Sequence, residues 1–334
     1  MSIAVSIPAE MRAVIQKRPG GPEVLEVVRM PVPKPGPGQV LIRVAWAGVN
    51  PHDFGQRKRG SPPPGHTPVF GLECSGEIVA AGDAADQARI GEKVCALVQG
   101  GAYADYCLSD ACLAFPQSPA LTERENGAIM ENLFTVWFNM IDIAGLKPGE
   151  HVLIHGGTGN IGSTAIQIAR LIGAVPYATV GSEEKRKIAL GLGAKRVINY
   201  RTEDFVAIIK EETGGKGVHV VLDPVAADGY AARNIDVLVR DGRLSYVSAN
   251  DGKAVVPVSA IMGKRAQVYG SMLRTSELDR KQRVTAAMFP RVWPVLGRQV
   301  KPLIDCEFPL EQAVEAHRRG ESGTTTGKVL FKVG

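Results

Sequence analysis

The stretch HVLIHGGTGNIGSTAIQIAR, residues 151–170, decides the fold. It opens as a buried strand, passes through a glycine-rich turn, and continues as a helix whose apolar residues recur at helical spacing. Gly157, Gly159 and Gly162 stand in GxGxxG spacing. The first allows a tight turn, the second lets the backbone approach a pyrophosphate, and the third lets helix and strand pack closely. The helix, opening at about Ile161, turns its free N–H groups toward the phosphates. Alone the motif is a weak sign. Here it follows a strand, opens a helix and is followed by strand-like VPYATV at 175–180, which is the context it requires. The stretch reads as a dinucleotide site.

Downstream, strand and helix alternate. Ser182 caps a helix reaching Leu192, with Gly193 past its end, and 197–200 is a strand. Thr202 caps a helix to Thr213, and 218–223 is again a strand. A helix closing over 235–239 leads to a strand at 242–247, and 266–270 is the sixth. Six strands with crossovers predict a doubly wound parallel α/β sheet. A helical stretch from Ser276 to about Val295, broken by Pro290 and Pro294, leads out of it. Upstream, 122–140 has helical spacing, with Thr122 and Glu125 in capping-box positions. Before that, short strands at 11–16, 25–30, 40–47, 74–79, 93–98 and 103–108 alternate with glycines and show little helical periodicity. This is a small β-rich domain. The tail, 303–308, 310–319 and 328–332, reads as strand, helix, strand and is expected to return to it. The predicted domains are 1–132 with 299–334, and 133–298.

A length of 334 residues with 45% apolar side chains is ample for two cores. No apolar run approaches the ~18 residues of a membrane span. Residues 1–10 lack a positive region followed by an apolar core, and the expected location is the cytoplasm. The balance of 39 Lys and Arg against 34 Asp and Glu leaves +5, too slight and too scattered to argue for a nucleic-acid surface. Cys74, Cys95, Cys107, Cys112 and Cys306 are odd in number and show neither CxxC nor Cys/His clustering, so neither a disulfide framework nor a metal site is expected.

The end of the second strand of the sheet bears on the choice of nicotinamide cofactor. Sites built for NAD place an acidic residue ~20 positions past the glycine motif, where it accepts the ribose 2′-hydroxyl hydrogen bonds and would repel a 2′-phosphate. Here that position is Gly181, followed by Ser182, Glu183, Glu184 and Lys185. Ser182 can donate a hydrogen bond and Lys185 can supply positive charge, which favours NADPH over NADH. The alternative is that Ser182 only caps its helix, with the glutamates at the helix N-terminus and Lys185 in solvent.

The whole arrangement resembles the medium-chain dehydrogenase/reductase superfamily, and within it the zinc-independent, zeta-crystallin-like quinone oxidoreductases. The matching stretches are AGVNPHD at 47–53, VFGLECSG at 69–76, GEKV at 91–94, AIMENLFT at 128–135, the glycine motif, LGAKRVINY at 192–200, AHRRGESG at 316–323 and TGK at 326–328. The resemblance implies a GroES-like β domain from both chain ends with a Rossmann domain between them. Zinc-dependent relatives carry a ligand Cys where this chain has Asn50 and a ligand His where it has Leu72, and neither Asn nor Leu can replace them on zinc. No metal is therefore expected. Easily reduced electrophiles, quinones or carbon–carbon double bonds conjugated to a carbonyl, become the natural acceptors.

Carried over to this sequence, the resemblance places Asn50 beside the nicotinamide and Thr135 near the cofactor at the start of its helix. It puts Gly159, Asn160 and Ile161 at the pyrophosphate, and Gly181, Ser182, Lys185 and Tyr200 around the adenosine 2′-phosphate. Asn250 and the Ser271–Met272 backbone would flank the nicotinamide half, and Lys328 would point into the same cleft. Asn50 is the expected catalytic residue, polarising the acceptor oxygen with Lys328. Residue by residue, a structural role stays open: Asn-Pro is a turn signal, Asp53 fits a bracing role, and His52, His66 and His317 belong to no triad or ligand cluster visible in the sequence. Two departures stand out: Asn160 where the family has Gly, and Ser61 where relatives place a substrate-contacting Tyr. The implied activity is NADPH-dependent quinone reduction by a homodimer joined through the edge strand 266–270. The alternatives are an alkenal or enoyl-thioester reductase, and an NADPH-binding sensor or RNA-binding protein with little turnover.

Overall fold

The computed structural model describes residues 6–248 and 253–334. Asn250 lies outside the described residues. The chain forms two compact units, residues up to Glu131 with Glu277–Gly334, and Asn132–Ser276.

In the second unit six parallel strands lie in the order Arg196–Asn199, Val175–Val180, His151–Ile154, Val218–Asp223, Leu238–Tyr246, Gln267–Gly270. The order reverses between the third and fourth of these, at the crevice where α/β sheets bind ligands. The central strands are buried runs while the edge strand Gln267–Gly270 is exposed, and Leu153, Tyr177, Ile198, Val221 and Leu244 join Phe205 and Ile235 from the helices in one core. The fifth strand starts four residues before the expected 242, because Leu238 pairs with Val218 ahead of a bulge, and its helix accordingly ends at Val237. Thr202 is not a cap. Asp204 takes that place, accepting from Val206 N–H at 2.9 Å before the helix Phe205–Glu212. Ser182 does cap its helix, Glu183–Gly191, accepting from Lys185 N–H at 3.2 Å.

The first unit is built on the long strand Gln39–Gly48. One edge pairs antiparallel with Glu73–Ala81; along the other, residues 39–43 pair with Tyr106–Asp110 and residues 46–48 with Lys328–Lys332. The last strand, itself parallel to Ile304–Pro309, thus brings residues 328–330 beside residues 48–50. A helix that periodicity did not announce, Pro51–Arg59, follows at once. Its buried residues are Asp53, Gln56 and Arg57, so it carries no apolar stripe; the Asp53 carboxylate, accepting from Asn50 N–H, starts it, and Gly60 at φ 91° ends it. Thr122 and Glu125 form the expected capping box, but the stretch 122–140 is not one helix. It stops at Gly127, where a Cβ would lie 2.7 Å from Trp46 Cβ, restarts as Met130–Val136 and widens into a π-helix over Trp137–Ile143. Residues 277–298 belong to this unit rather than to the sheet domain as expected. Pro290 sits inside the helix Leu278–Val292 without breaking it, and the Phe289 and Trp293 rings lie 5.4 and 5.7 Å from that of Phe115.

His317 is a packing residue of this unit. It is fully buried, with Phe54, Phe70 and Tyr103 edge-on to its ring and Arg57 Nη1 donating to its Nδ1 at 2.8 Å. Burial, and then the Arg57 charge, push its pKa down from 6.5 to about 3. The folded chain keeps it neutral while the unfolded chain takes a proton below 6.5, so stability rises with pH across this window and is lost on acidification. In urea denaturation, wild type should lose stability more steeply than His317→Gln as pH falls from 6.5 toward about 3; parallel pH profiles would contradict this.

Candidate functional site

The glycine loop of the second unit leaves strand His151–Ile154 at His155 and enters helix Asn160–Leu171. The left-handed turn belongs to Gly156, at φ 66°, not to Gly157. Gly157 is needed for another reason: a Cβ there would lie 2.8 Å from Ala178 Cβ on the neighbouring strand. Gly162 is pressed against the turn, where a Cβ would come within 2.2 Å of Gly156 O. Gly159 is the N-cap and brings no side-chain acceptor, unlike Thr122, Ser182 and Asp204 at their helices. Asn160 and Ile161 form the first turn, and the Asn160 carbonyl accepts from the Ser163 and Thr164 hydroxyls at 3.2 and 3.3 Å. The loop is a cradle of backbone around a helix N-terminus that an anion fits.

At the end of the next strand Gly181, Ser182, Lys185 and Tyr200 come together. The Tyr200 ring is 46% exposed and lies over Gly181, where a Cβ would sit 2.7 Å from the phenol oxygen. Glu183 pairs with Arg186 at 3.0 Å, and Arg186 also binds Glu203. That pairing draws one of the two neighbouring carboxylates to a cation of its own helix.

Across the switch point, Asn139 of the π-helix gathers groups from three elements. Its amide donates to Thr135 O at 2.9 Å, and its oxygen accepts from Ser271 and Ser245 hydroxyls at 2.7 and 3.3 Å. Thr135 is buried one residue before the end of helix Met130–Val136, not at a helix start, and Met272 is 60% exposed. A cavity of about 270 Å³ borders the 226–229 turn, Tyr246 and Ser248.

In the first unit Asn50, Glu73 and Lys328 are fully buried together. Lys328 Nζ lies 2.5 Å from both Asn50 Oδ1 and Glu73 Oε1. Asn50 Nδ2 donates to Glu73 Oε1 at 3.0 Å and to Gly48 O at 3.2 Å, and Glu131 N–H donates to Glu73 Oε2 at 3.0 Å. A Cβ at Gly48 would lie 2.2 Å from Glu73 Oε1, so the glycine makes room for the carboxylate. Asp53 braces the same loop, accepting from Gly71 N–H at 3.2 Å and the Tyr103 hydroxyl at 2.8 Å. Among the described residues no group of three or more His, Cys, Asp or Glu side chains is arranged to hold a metal ion, and no helix is long and apolar enough to cross a membrane.

Sequence reasoning missed Gly156, Asn139 and Glu73. The GG pair at 156–157 and the Glu within the quoted 69–76 stretch were visible signals; Asn139, a polar residue on an apolar helix, gave none.

The family model for the alcohol dehydrogenase GroES-like domain matches residues 36–132, and that for zinc-binding dehydrogenases matches residues 160–289. Human quinone oxidoreductase is 33% identical over 330 residues, covering 96% of this chain and 97% of that protein. The crystal structure of Escherichia coli quinone oxidoreductase complexed with NADPH superimposes with a TM-score of 0.85 at 29% identity, over 96% of this chain and 99% of that one. The apo JamJ enoyl reductase reaches the same score at 26% identity, over 97% and 100%. Near-complete coverage by these relatives agrees with a parallel nucleotide-binding sheet and a β domain closed by the chain's own end, and the chain belongs to the medium-chain dehydrogenase/reductase superfamily, beside its quinone oxidoreductases, as an oxidoreductase.

Proposed function

We propose that this chain is an NADPH-dependent reductase of quinones that works without a metal. The observation that carries the reading is the buried Asn50–Lys328–Glu73 cluster. By the resemblance, an amide stands where zinc-dependent relatives carry a thiolate ligand, and the ammonium beside it would repel a divalent ion. The cofactor fits the second unit: Gly156, Gly157, Gly159, Asn160, Ile161 and Gly162 would hold its pyrophosphate, and Gly181, Ser182, Lys185 and Tyr200 its 2′-phosphate. That two neighbours of this fold were solved complexed with NADPH supports the choice of cofactor. NADPH, when bound, supplies the hydride.

The chain's own residues orient the site. Thr135 and Ser271, locked together through Asn139, set the side of the site opposite the adenosine strands. Two of the Lys328 donors are spent on Asn50 and Glu73, and its third faces Glu131 Oε2 at 3.9 Å. Lys328 therefore does not open onto a cleft as expected: held in dry surroundings, the Lys328–Glu73 pair is neutral overall and acts by fixing the Asn50 loop that would border the acceptor. The similarity to an enoyl reductase favours, as second reading, reduction of a conjugated double bond. We further propose a homodimer. Strand Gln267–Gly270 ends its sheet, and Val268, Val258 and Met262 beside it are 42%, 63% and 72% exposed.

Chelator-treated protein should oxidise NADPH with quinones faster than with conjugated enals, and faster than it oxidises NADH. Enal preference would replace the acceptor, and loss of turnover restored by zinc would overturn the metal-free reading. Asn50→Ala should lower kcat about tenfold or more with NADPH affinity nearly unchanged; unchanged kcat removes its role. Gly181→Asp, which must displace the Tyr200 phenol, should raise the NADPH constant about tenfold while sparing NADH; equal effects would contradict the 2′-phosphate assignment. Sedimentation should give a dimeric mass, reduced to monomer by Val258→Glu with Met262→Glu, whereas a monomeric wild type refutes the interface.

A further inference from the structure

Behind the glycine loop runs a line of buried polar side chains for which cofactor contact gives no use. His155, Thr179, Asp223 and Asn234 are each at most 1% exposed, amid Leu153, Ile154, Val221 and Leu222. Such groups are costly in a sheet core unless each is satisfied. Here they satisfy one another. His155 Nδ1 lies 3.0 Å from Thr179 Oγ1, and His155 Nε2 lies 2.8 Å from Asn234 Oδ1. Asn234 Nδ2 donates to Asp223 Oδ2 at 2.9 Å. Because Asn234 gives its N–H to a carboxylate, it offers its oxygen to His155; the imidazole therefore donates from Nε2 and accepts the Thr179 hydroxyl proton at Nδ1. Phe205 and Tyr230 pack on the ring at 5.1 and 4.8 Å.

The two ends of this line are both backbone. At one end the Thr179 oxygen faces Gly156 N–H at 3.4 Å, the glycine that makes the left-handed turn of the loop. At the other, Asp223 Oδ1 accepts from Val225 and Ala226 N–H at 2.9 and 2.8 Å, fixing the turn that carries Ala226 at φ 48° and borders the 270 Å³ cavity. Gly156 lies before the switch point and the 223–229 turn after it, on the two halves of the sheet that divide a dinucleotide between them.

We propose that His155 is a positioning residue: its imidazole locks the pyrophosphate loop to the 223–229 turn, so that one rigid unit receives both the diphosphate and the nicotinamide half. This rests on the dinucleotide-binding reading above. A network that holds register in this way repays its burial in a single fixed arrangement rather than in stability.

The test compares whole cofactor with a fragment that touches only the adenosine end. Binding of NADPH, NADH and 2′-AMP is measured by calorimetry on wild type, His155→Phe and Thr179→Val. Phenylalanine keeps the ring volume, and valine keeps the shape of threonine while deleting its hydroxyl. His155→Phe should weaken the preferred dinucleotide about tenfold and leave 2′-AMP within about twofold, with Thr179→Val moving the same way by less. If His155→Phe does not fold, the Thr179→Val split decides. Equal weakening of dinucleotide and fragment, or no weakening of either, would overturn the proposal. A wild type that prefers NADH would overturn only the cofactor choice, since the lock acts on the diphosphate common to both. Failure to bind either dinucleotide would overturn both readings.

Discussion

The buried pair of Lys328 and Glu73 is the constraint on which the first unit depends. A carboxylate and an ammonium without solvent are tolerable only when their remaining hydrogen-bonding capacity is met. Glu73 meets it with Asn50 Nδ2 and Glu131 N–H, and Lys328 with Asn50 Oδ1. The pair also joins distant parts of the chain: residue 73 leads the strand beside Gln39–Gly48, and residue 328 opens the last strand. Gly48 has no side chain because the carboxylate occupies that space. Asn50 is thereby pinned, its oxygen accepting from Lys328 and its amide donating to Glu73 and Gly48.

The second unit solves a different problem, presenting backbone to an anion. Gly156, Gly157 and Gly162 each answer a separate steric demand, of turn, strand packing and helix packing, and an uncapped helix end completes the cradle. Polar side chains support both halves of the sheet: buried His155 and Asn234 behind the loop, and Asn139 with buried Ser245 and half-buried Ser271 across the switch point. Loops that would otherwise be loose are in this way tied to strand ends.

The parallel sheet was legible because its central strands, around Val152–Ile154 and Val220–Leu222, are short apolar runs alternating with helical patterns, an arrangement with few alternative folds. Ser182 and the Thr122–Glu125 box were readable because a cap is a local interaction. What stayed hidden was set by distant partners. Helix Pro51–Arg59 buries polar residues, so it lacks an apolar period. Pro290 reads as a breaker, yet its helix continues because Phe289 and Trp293 pack on Phe115, far away in sequence. Thr202 and Asp204 are both cap residue types, and only the start of Phe205–Glu212 chooses between them. In the site, the glycines and Asn50 could be named from motif and resemblance, whereas Glu73 and Asn139 matter through side chains they meet only after folding.

The central claim, that one satisfied ion pair organises the first unit and fixes Asn50, is tested most directly by a double-mutant cycle in equilibrium denaturation. Glu73→Leu and Lys328→Met should each cost about 3–5 kcal/mol, since each strands a buried charge, while the double variant should cost much less than the sum. Additive losses would contradict the account, because the two charges would then be supported independently of each other.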